Sequence, residues 1–147
     1  MSETYNLGMN AKLYYSATSG TALASLTEMT AVKNVTVNLD AAEADVTTRG
    51  NSGFRANAKT LKECGIDFDY QYTSDDSILT DLRNAWLNDT QIELAALTDD
   101  QGTGGAEGPK GTFDVVSISR NEDLEEAITH SISCKLYSWG EWVQVAT

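Results

Sequence analysis

Glu43-Ala44-Asp45-Val46-Thr47-Thr48, Arg49-Gly50-Asn51-Ser52-Gly53-Phe54-Arg55-Ala56-Asn57-Ala58-Lys59-Thr60-Leu61-Lys62 and Glu63-Cys64-Gly65-Ile66-Asp67-Phe68-Asp69-Tyr70-Gln71-Tyr72 follow one another without a break, and their reading decides the fold. The two outer segments alternate between apolar and polar residues, the period of a strand with one buried and one wet face, whereas the middle does not alternate. The stretch therefore reads as strand 43–48, loop 49–62 and strand 64–72. Arg49, Arg55, Lys59 and Lys62 are four of the ten Lys and Arg residues of the chain, and no Asp or Glu falls between Asp45 and Glu63. Everywhere else the chain is acidic.

Just upstream, Val35, Val37 and Leu39 alternate with Asn34, Thr36, Asn38 and Asp40, which predicts a strand over 33–40. Its nearness to 43–48 suggests that the two pair antiparallel. In 64–72, Cys64, Ile66, Phe68, Tyr70 and Tyr72 face one way, and Glu63, Gly65, Asp67, Asp69 and Gln71 face the other. A further strand is expected at 11–16, followed by a small-residue turn and a loop that can hold a helical turn around Leu23, Leu26 and Met29.

Thr73-Ser74-Asp75-Asp76 places a hydroxyl and two acids where a helix start favours them, and Ile78, Leu79, Leu82, Ala85 and Trp86 recur at helical spacing. A single helix over about 74–88 is predicted, its apolar stripe against the sheet. Strand 92–97, a mobile Gly-rich loop 98–110 with the only proline, and strands 111–119 and 126–138 follow, with Trp142-Val143-Gln144-Val145 as an edge strand or arm. The expected core is Val35, Val37, Ile66, Phe68, Leu82 and Trp86.

With 147 residues and 41% hydrophobic content the chain fits one globular domain, residues 1–147. A net charge of -12 argues against an outer surface that wraps nucleic acid or anionic lipid. No basic n-region and apolar h-region opens the sequence and no apolar run is long enough for a spanning helix, so synthesis in the cytoplasm without a membrane is expected. Cys64 and Cys134 lack metal-ligand spacing and stand beside a single histidine, so neither a zinc site nor another cofactor is implied.

Paired carboxylates can do acid and base work or hold calcium, but Asp75-Asp76 reads as helix capping and Asp99-Asp100 lacks the ligands of a calcium loop. No phosphate loop or nucleophile elbow is present, and the chain is expected not to be an enzyme. His130, between Ile128 and Ile132, reads as a packed core or interface histidine. Asn34-Val35-Thr36 and Asn88-Asp89-Thr90 match a glycosylation sequon, a chance match in a chain without a secretion signal. Trp139 and Trp142, with Tyr137, read either as core or subunit contact or as a stacking platform for sugars. A cationic patch on an acidic chain is complementary to that chain's own remaining surface, which points to head-to-tail self-association into a stack or filament.

The order of parts resembles the major tail tube proteins of long-tailed phages with non-contractile tails. The likeness is carried by the hairpin with a long loop, by Leu61-Lys62 and Asp67-Phe68-Asp69-Tyr70, by Asp75-Asp76 and a helix ending Leu82-x2-Ala85-Trp86, and by the Gly-rich loop, Gly111-Thr112-Phe113-Asp114-Val115 and the strand from Thr129 to Tyr137. The resemblance implies a mainly β fold, a small antiparallel β-sandwich or half-barrel with one flanking helix. It further implies six-membered rings closed by a continuous β-barrel, stacked into a tube in the virion tail that conducts DNA during ejection without binding it specifically. Arg49, Phe54, Arg55, Lys59 and Lys62 would then contact the next ring, and Asn38, Asp40, Glu43, Asp45, Glu63, Asp67 and Asp69, with Asn34 and Thr36, would supply the channel wall. Partners implied are further copies of the chain and other tail proteins, namely a tape measure, a terminator and a distal tail protein. Two alternatives stay open: another ring-forming tail or injection-machine protein, such as a terminator or the tube of a contractile system, and a monomeric β-sandwich carbohydrate-binding module with Trp139 and Trp142 as its ligand face.

Overall fold

The computed structural model describes Tyr5 and residues 7–146. Its strands are β1 (Lys12–Ser16), β2 (Thr27–Glu28), β3 (Val32–Asp45), β4 (Asn57–Gln71), β5 (Gln91–Leu97), β6 (Glu107–Asn121) and β7 (Thr129–Gln144), and one helix, α1 (Ser77–Leu87), lies between β4 and β5. All seven strands join one open antiparallel sheet in the order β2-β1-β5-β6-β7-β4-β3. The mainly β class with one flanking helix is thus the observed one, with a single open sheet in place of two facing sheets.

The first expected hairpin is absent. Segments 33–40 and 43–48 do not pair with each other; through Asp45 they are one strand, β3, which runs antiparallel to β4 with Val35 opposite Phe68, Val37 opposite Ile66 and Asp40 opposite Glu63. The physical reason lies at Ala41-Ala42, which breaks the apolar alternation but supplies none of the Gly, Asn or Asp chemistry of a two-residue turn. The true turn comes at Ser52 and Gly53, which adopt φ of 53° and 82°. Such left-handed backbone costs glycine nothing and small polar residues little. β4 accordingly begins at Asn57, and Lys59 and Lys62 are strand residues, while the connecting loop is 46–56.

β6 and β7 are longer than their alternation suggests. β6 takes in Gly108 and Pro109, read from sequence as loop, because a side chain at 108 has no room: a Cβ there would fall 1.6 Å from the Ala96 carbonyl oxygen. Pro109 is tolerated because β5 pairing ends at Lys110. β7 runs unbroken through Trp142 and Val143, which pair with Pro109 and Gly108, so the expected C-terminal arm is the end of a long strand.

One face of the sheet and α1 enclose the main core. Ile66, Phe68 and Leu82 are buried there with Tyr70, Ile92, Leu94, Phe113, Ile132 and Cys134. A second cluster, Tyr14, Leu26, Ala95, Leu97 and Val143, covers the opposite face of β1 and β5, so β5 is buried on both faces. Glu93, also buried, accepts from Lys110 Nζ at 2.5 Å, Thr112 Oγ1 at 3.0 Å and the Gly20 amide at 3.0 Å, which satisfies a charge that would otherwise be costly to bury.

Three expected core residues stand outside this core. Val35 and Val37 lie on the core side of β3 but are 39% and 37% exposed, because β3 is an edge strand and α1 does not reach over it. Trp86 is 49% exposed on the rim of α1, where its Nε1 donates to the Val116 carbonyl at 3.2 Å. Helix α1 begins later than its sequence suggests: the cap is Asp76, whose Oδ1 accepts from the Ile78 and Leu79 amides, with Asp75 held at φ 62° ahead of it.

Candidate assembly surfaces

Three surfaces of the chain combine exposure with a consistent chemistry. The first is the face of β3, β4, β7 and β6 opposite the main core. Residues that pair directly across strands share a face, and the register Thr36 with Asp67, Asp69 with Ser131, Asp67 with Ser133 and Ser133 with Ser117 assembles a carpet of short polar side chains. Asn34 Nδ2 donates to Asp69 at 3.1 Å, Asn38 Nδ2 donates to Asp67 at 2.9 Å and Ser131 Oγ donates to Asp69 at 3.0 Å. These neutral donors hold the carboxylates in place without neutralising them. Asp40 and Glu63 sit directly opposite each other farther along, and Lys135 is the cation of this face, lying over Gly65.

Glu43 and Asp45 do not join that carpet. The register passes from Ala41–Lys62 to Glu43–Lys59, so the extra residue is on β4 and β3 keeps its alternation. Glu43 and Asp45 therefore share parity with Val37, Leu39 and Ala41 and lie on the other face. Asp45 instead closes the hairpin turn: the Thr47 amide donates to its Oδ1 at 2.9 Å, and the Thr47 hydroxyl and amide hold the Asp45 carboxyl below the usual carboxylate range. Of the expected wall residues, the structure thus brings together Asn34, Thr36, Asn38, Asp40, Glu63, Asp67 and Asp69. Sequence reasoning missed Ser117, Ser119, Ser131 and Ser133, which complete the face. Their signal was Ser117-Ile118-Ser119 and Ser131-Ile132-Ser133, the same alternation on two later strands.

The second surface is the β3–β4 tip. Its backbone is closed by the Val46 amide donating to Ala56 O at 2.9 Å, the Ala56 amide donating to Thr47 Oγ1 at 2.9 Å and the Phe54 amide donating to Asn51 O at 3.0 Å. Arg49, Phe54 and Arg55 project from it, and Phe54 is 74% exposed. Among the described residues, Arg49, Arg55, Lys59 and Lys62 make no ion pair.

The third is the free β3 edge with the cleft beside it. Leu39, Ala41, Lys59, Lys62, Leu136 and Trp139 line a hollow of about 660 Å³. Trp139 and Trp142 sit opposite Gly111 and Pro109, two residues apart on β6, so both indoles project from one face, each about half exposed.

His130 lies beneath the far end of the sheet, buried against the Tyr72 ring at a centroid distance of 5.7 Å and opposite Arg120. Burial, reinforced by the Arg120 charge, lowers its pKa. Burial raises the pKa of the Cys134 thiol to about 12, and that of Cys64 upward too, which makes both thiols inert. Among the described residues no group of three or more His, Cys, Asp or Glu could hold a metal ion, and no helix is long and apolar enough to cross a membrane.

No protein-family model matches this chain, nor does any curated protein match it significantly. Solved structures do. The tail of an empty gene transfer agent particle, refined with helical C6 symmetry, superposes with a TM-score of 0.73 at 15% identity over 97% of this chain and 100% of that one. The SPP1 tail tube, solved by solid-state NMR and cryo-EM, matches with a TM-score of 0.71 at 16% identity over 96% of this chain and 80% of that one. The six-fold symmetrised anti-feeding prophage baseplate matches with a TM-score of 0.65 at 4% identity over 99% and 98%. The fold is that of the tail tube proteins.

Proposed function

We propose that this chain is the structural subunit of a phage tail tube: copies close into six-membered rings, rings stack, and the central channel conducts DNA during ejection. The observation that carries this reading is the superposition of nearly the whole chain on subunits of assembled tails, 97% of it on one refined with C6 symmetry. Two features of the subunit support it independently. The sheet is open, with the β3 edge carrying the half-exposed Val35, Val37 and Leu39, and an exposed edge of that kind is a liability unless another chain covers it. The polar carpet suits a conduit: Asp40, Glu63, Asp67 and Asp69 repel phosphates, the serines, threonine and asparagines are neutral, and the four carboxylates outweigh the one cation named there, Lys135. Asp40 opposite Glu63 costs stability in the subunit, a cost that a wall meant to repel polyanions would justify.

In this reading the protein resides in the virion tail, is made in the host cytoplasm and does no catalysis. The two ends of a stacked tube present unsatisfied ring surfaces, and a terminator and a distal tail protein would cover them, with a tape measure inside. The likeness to a six-fold symmetrised baseplate favours, as a second reading, the tube of a contractile injection machine.

Purified protein is expected to sediment as rings and tubes when concentrated. Arg49→Glu with Arg55→Glu is expected to block stacking while leaving circular dichroism and the melting temperature unchanged, because exposed loop charges contribute little to the fold. Collapse of the fold on that change would make the tip structural and remove its role in stacking.

A further inference from the structure

The β3–β4 tip and the β6–β7 turn carry opposite charge, and the sheet places them at opposite ends of the same strands. β4 leaves the tip at Asn57 and ends at Gln71, which pairs with Thr129 at the start of β7, and Thr129 in turn pairs with Asn121 at the end of β6. The turn over 122–128 therefore lies at the far end of β4. A strand of this length at about 3.3 Å per residue separates the two by roughly 45 Å, so no tip reaches its own turn.

At one end stand Arg49 and Arg55, with Lys59 and Lys62 on the strand behind them and no acid between Asp45 and Glu63. At the other stand Glu122, Asp123, Glu125 and Glu126, all exposed, with Arg120 pairing to Glu122 at 3.4 Å. Each end raises a large apolar side chain far into solvent: Phe54 is 74% exposed and Leu124 is 100% exposed. An apolar side chain held at the centre of a charged turn gains only when a partner covers it.

We propose that the β3–β4 tip of one copy seats on the β6–β7 turn of a copy in the next ring, with Arg49 and Arg55 against the carboxylates of Glu122, Asp123, Glu125 and Glu126, and Phe54 against Leu124. This rests on the tube reading and names the receiving surface within it. The occupant is a second copy because the two ends are opposite in sign, each offers an apolar side chain to the other, and they lie at opposite ends of one subunit. A contact between opposite ends is heterologous and repeats without closing, which is the geometry of a stack. The charges steer and orient the approach, and burial of Phe54 on Leu124 slows its reversal.

Both native cysteines are buried, so thiols introduced at the surface report alone. Phe54→Cys and Leu124→Cys variants, prepared separately and checked for native circular dichroism, are mixed, assembled and treated with a mild oxidant. A reducible covalent dimer, several-fold more abundant in mixed tubes than in tubes of either variant, is the expected result. In parallel, Arg49→Glu/Arg55→Glu and Glu122→Arg/Glu125→Arg should each lower tube yield at least tenfold, and the four changes together should restore it. Tubes that form normally with the acidic turn reversed, or that form from the mixture without the cross-link, overturn the proposal and leave the tube reading standing. A wild-type chain that forms neither rings nor tubes overturns both.

Discussion

His130 shows how one residue couples the sheet to pH. It is buried with its Nδ1 unpartnered, its ring tilted against that of Tyr72, and faces Arg120 from β6, with Glu122 at the start of the neighbouring turn. Because burial and Arg120 lower its pKa below the ordinary value of 6.5, the unfolded chain takes up this proton more readily than the folded one. The stability that the neutral imidazole contributes is complete above pH 6.5 and is lost as the pH falls below that value toward the lowered pKa. His130→Phe keeps a ring against Tyr72 and removes the titration. The difference in melting temperature between wild type and this variant should shift against wild type as pH is lowered from 7.5 to 5.5. A difference that stays constant over that range would show that the imidazole titrates as it does in the unfolded chain. Residue roles of this sort were half legible: the sequence marked His130 as packed, but its orphaned nitrogen depends on which strand lies opposite.

At the scale of elements, helix α1 is held by two acids: Asp76, which the sequence marked as capping, and Asp81, which it did not mark. Asp76 caps the helix with Oδ1 and accepts from Tyr70 Oη with Oδ2 at 2.8 Å, while Asp81 accepts from Tyr15 Oη at 2.7 Å. The two tyrosines thereby tie α1 to β4 and β1, and burial raises both of their pKa values. Asp76→Ala removes the cap, worth about 0.5–2 kcal/mol, and strands the buried Tyr70 hydroxyl, at roughly 1–3 kcal/mol more. A fall of roughly 5–10 °C in melting temperature is expected, with Tyr70→Phe costing less; an unchanged melting temperature for Asp76→Ala would sink this view of the junction. The strands were legible wherever one face is dry, as in 64–72, because alternation records burial on one side. They were illegible where the chemistry is set by a neighbour. Gly108 and Pro109 read as loop yet sit in β6 under the Ala96 carbonyl, and the break in alternation at Ala41-Ala42 reads as a boundary between two strands yet lies inside β3. That second misreading had a consequence for function, since one unbroken β3 sends Glu43 and Asp45 to the face opposite Asn38 and Asp40.

The whole molecule has an acidic carpet, a cationic tip and an unclosed sheet, and each is unfavourable or idle in an isolated chain. Val35 and Val37 looked like core because their alternation is that of a buried face; it is the face that the isolated chain leaves half open. A sequence reports that a side chain is to be covered and is silent on whether its own chain or another copy covers it. The acids of this face were legible as a charge pattern on β3 and β4, whereas the serines of β6 and β7 joined them only through sheet order. Cryo-electron microscopy of tubes grown from the purified protein tests the central claim most directly. The result expected is a hollow, six-fold tube whose lumen is lined by Asn34, Thr36, Asp67, Asp69, Ser131 and Ser133, with each β3 edge covered by a different surface of its neighbour. A tube whose lumen is lined by the opposite face, with Trp139 and Lys62 inward, or a protein that remains monomeric at every concentration, would contradict it.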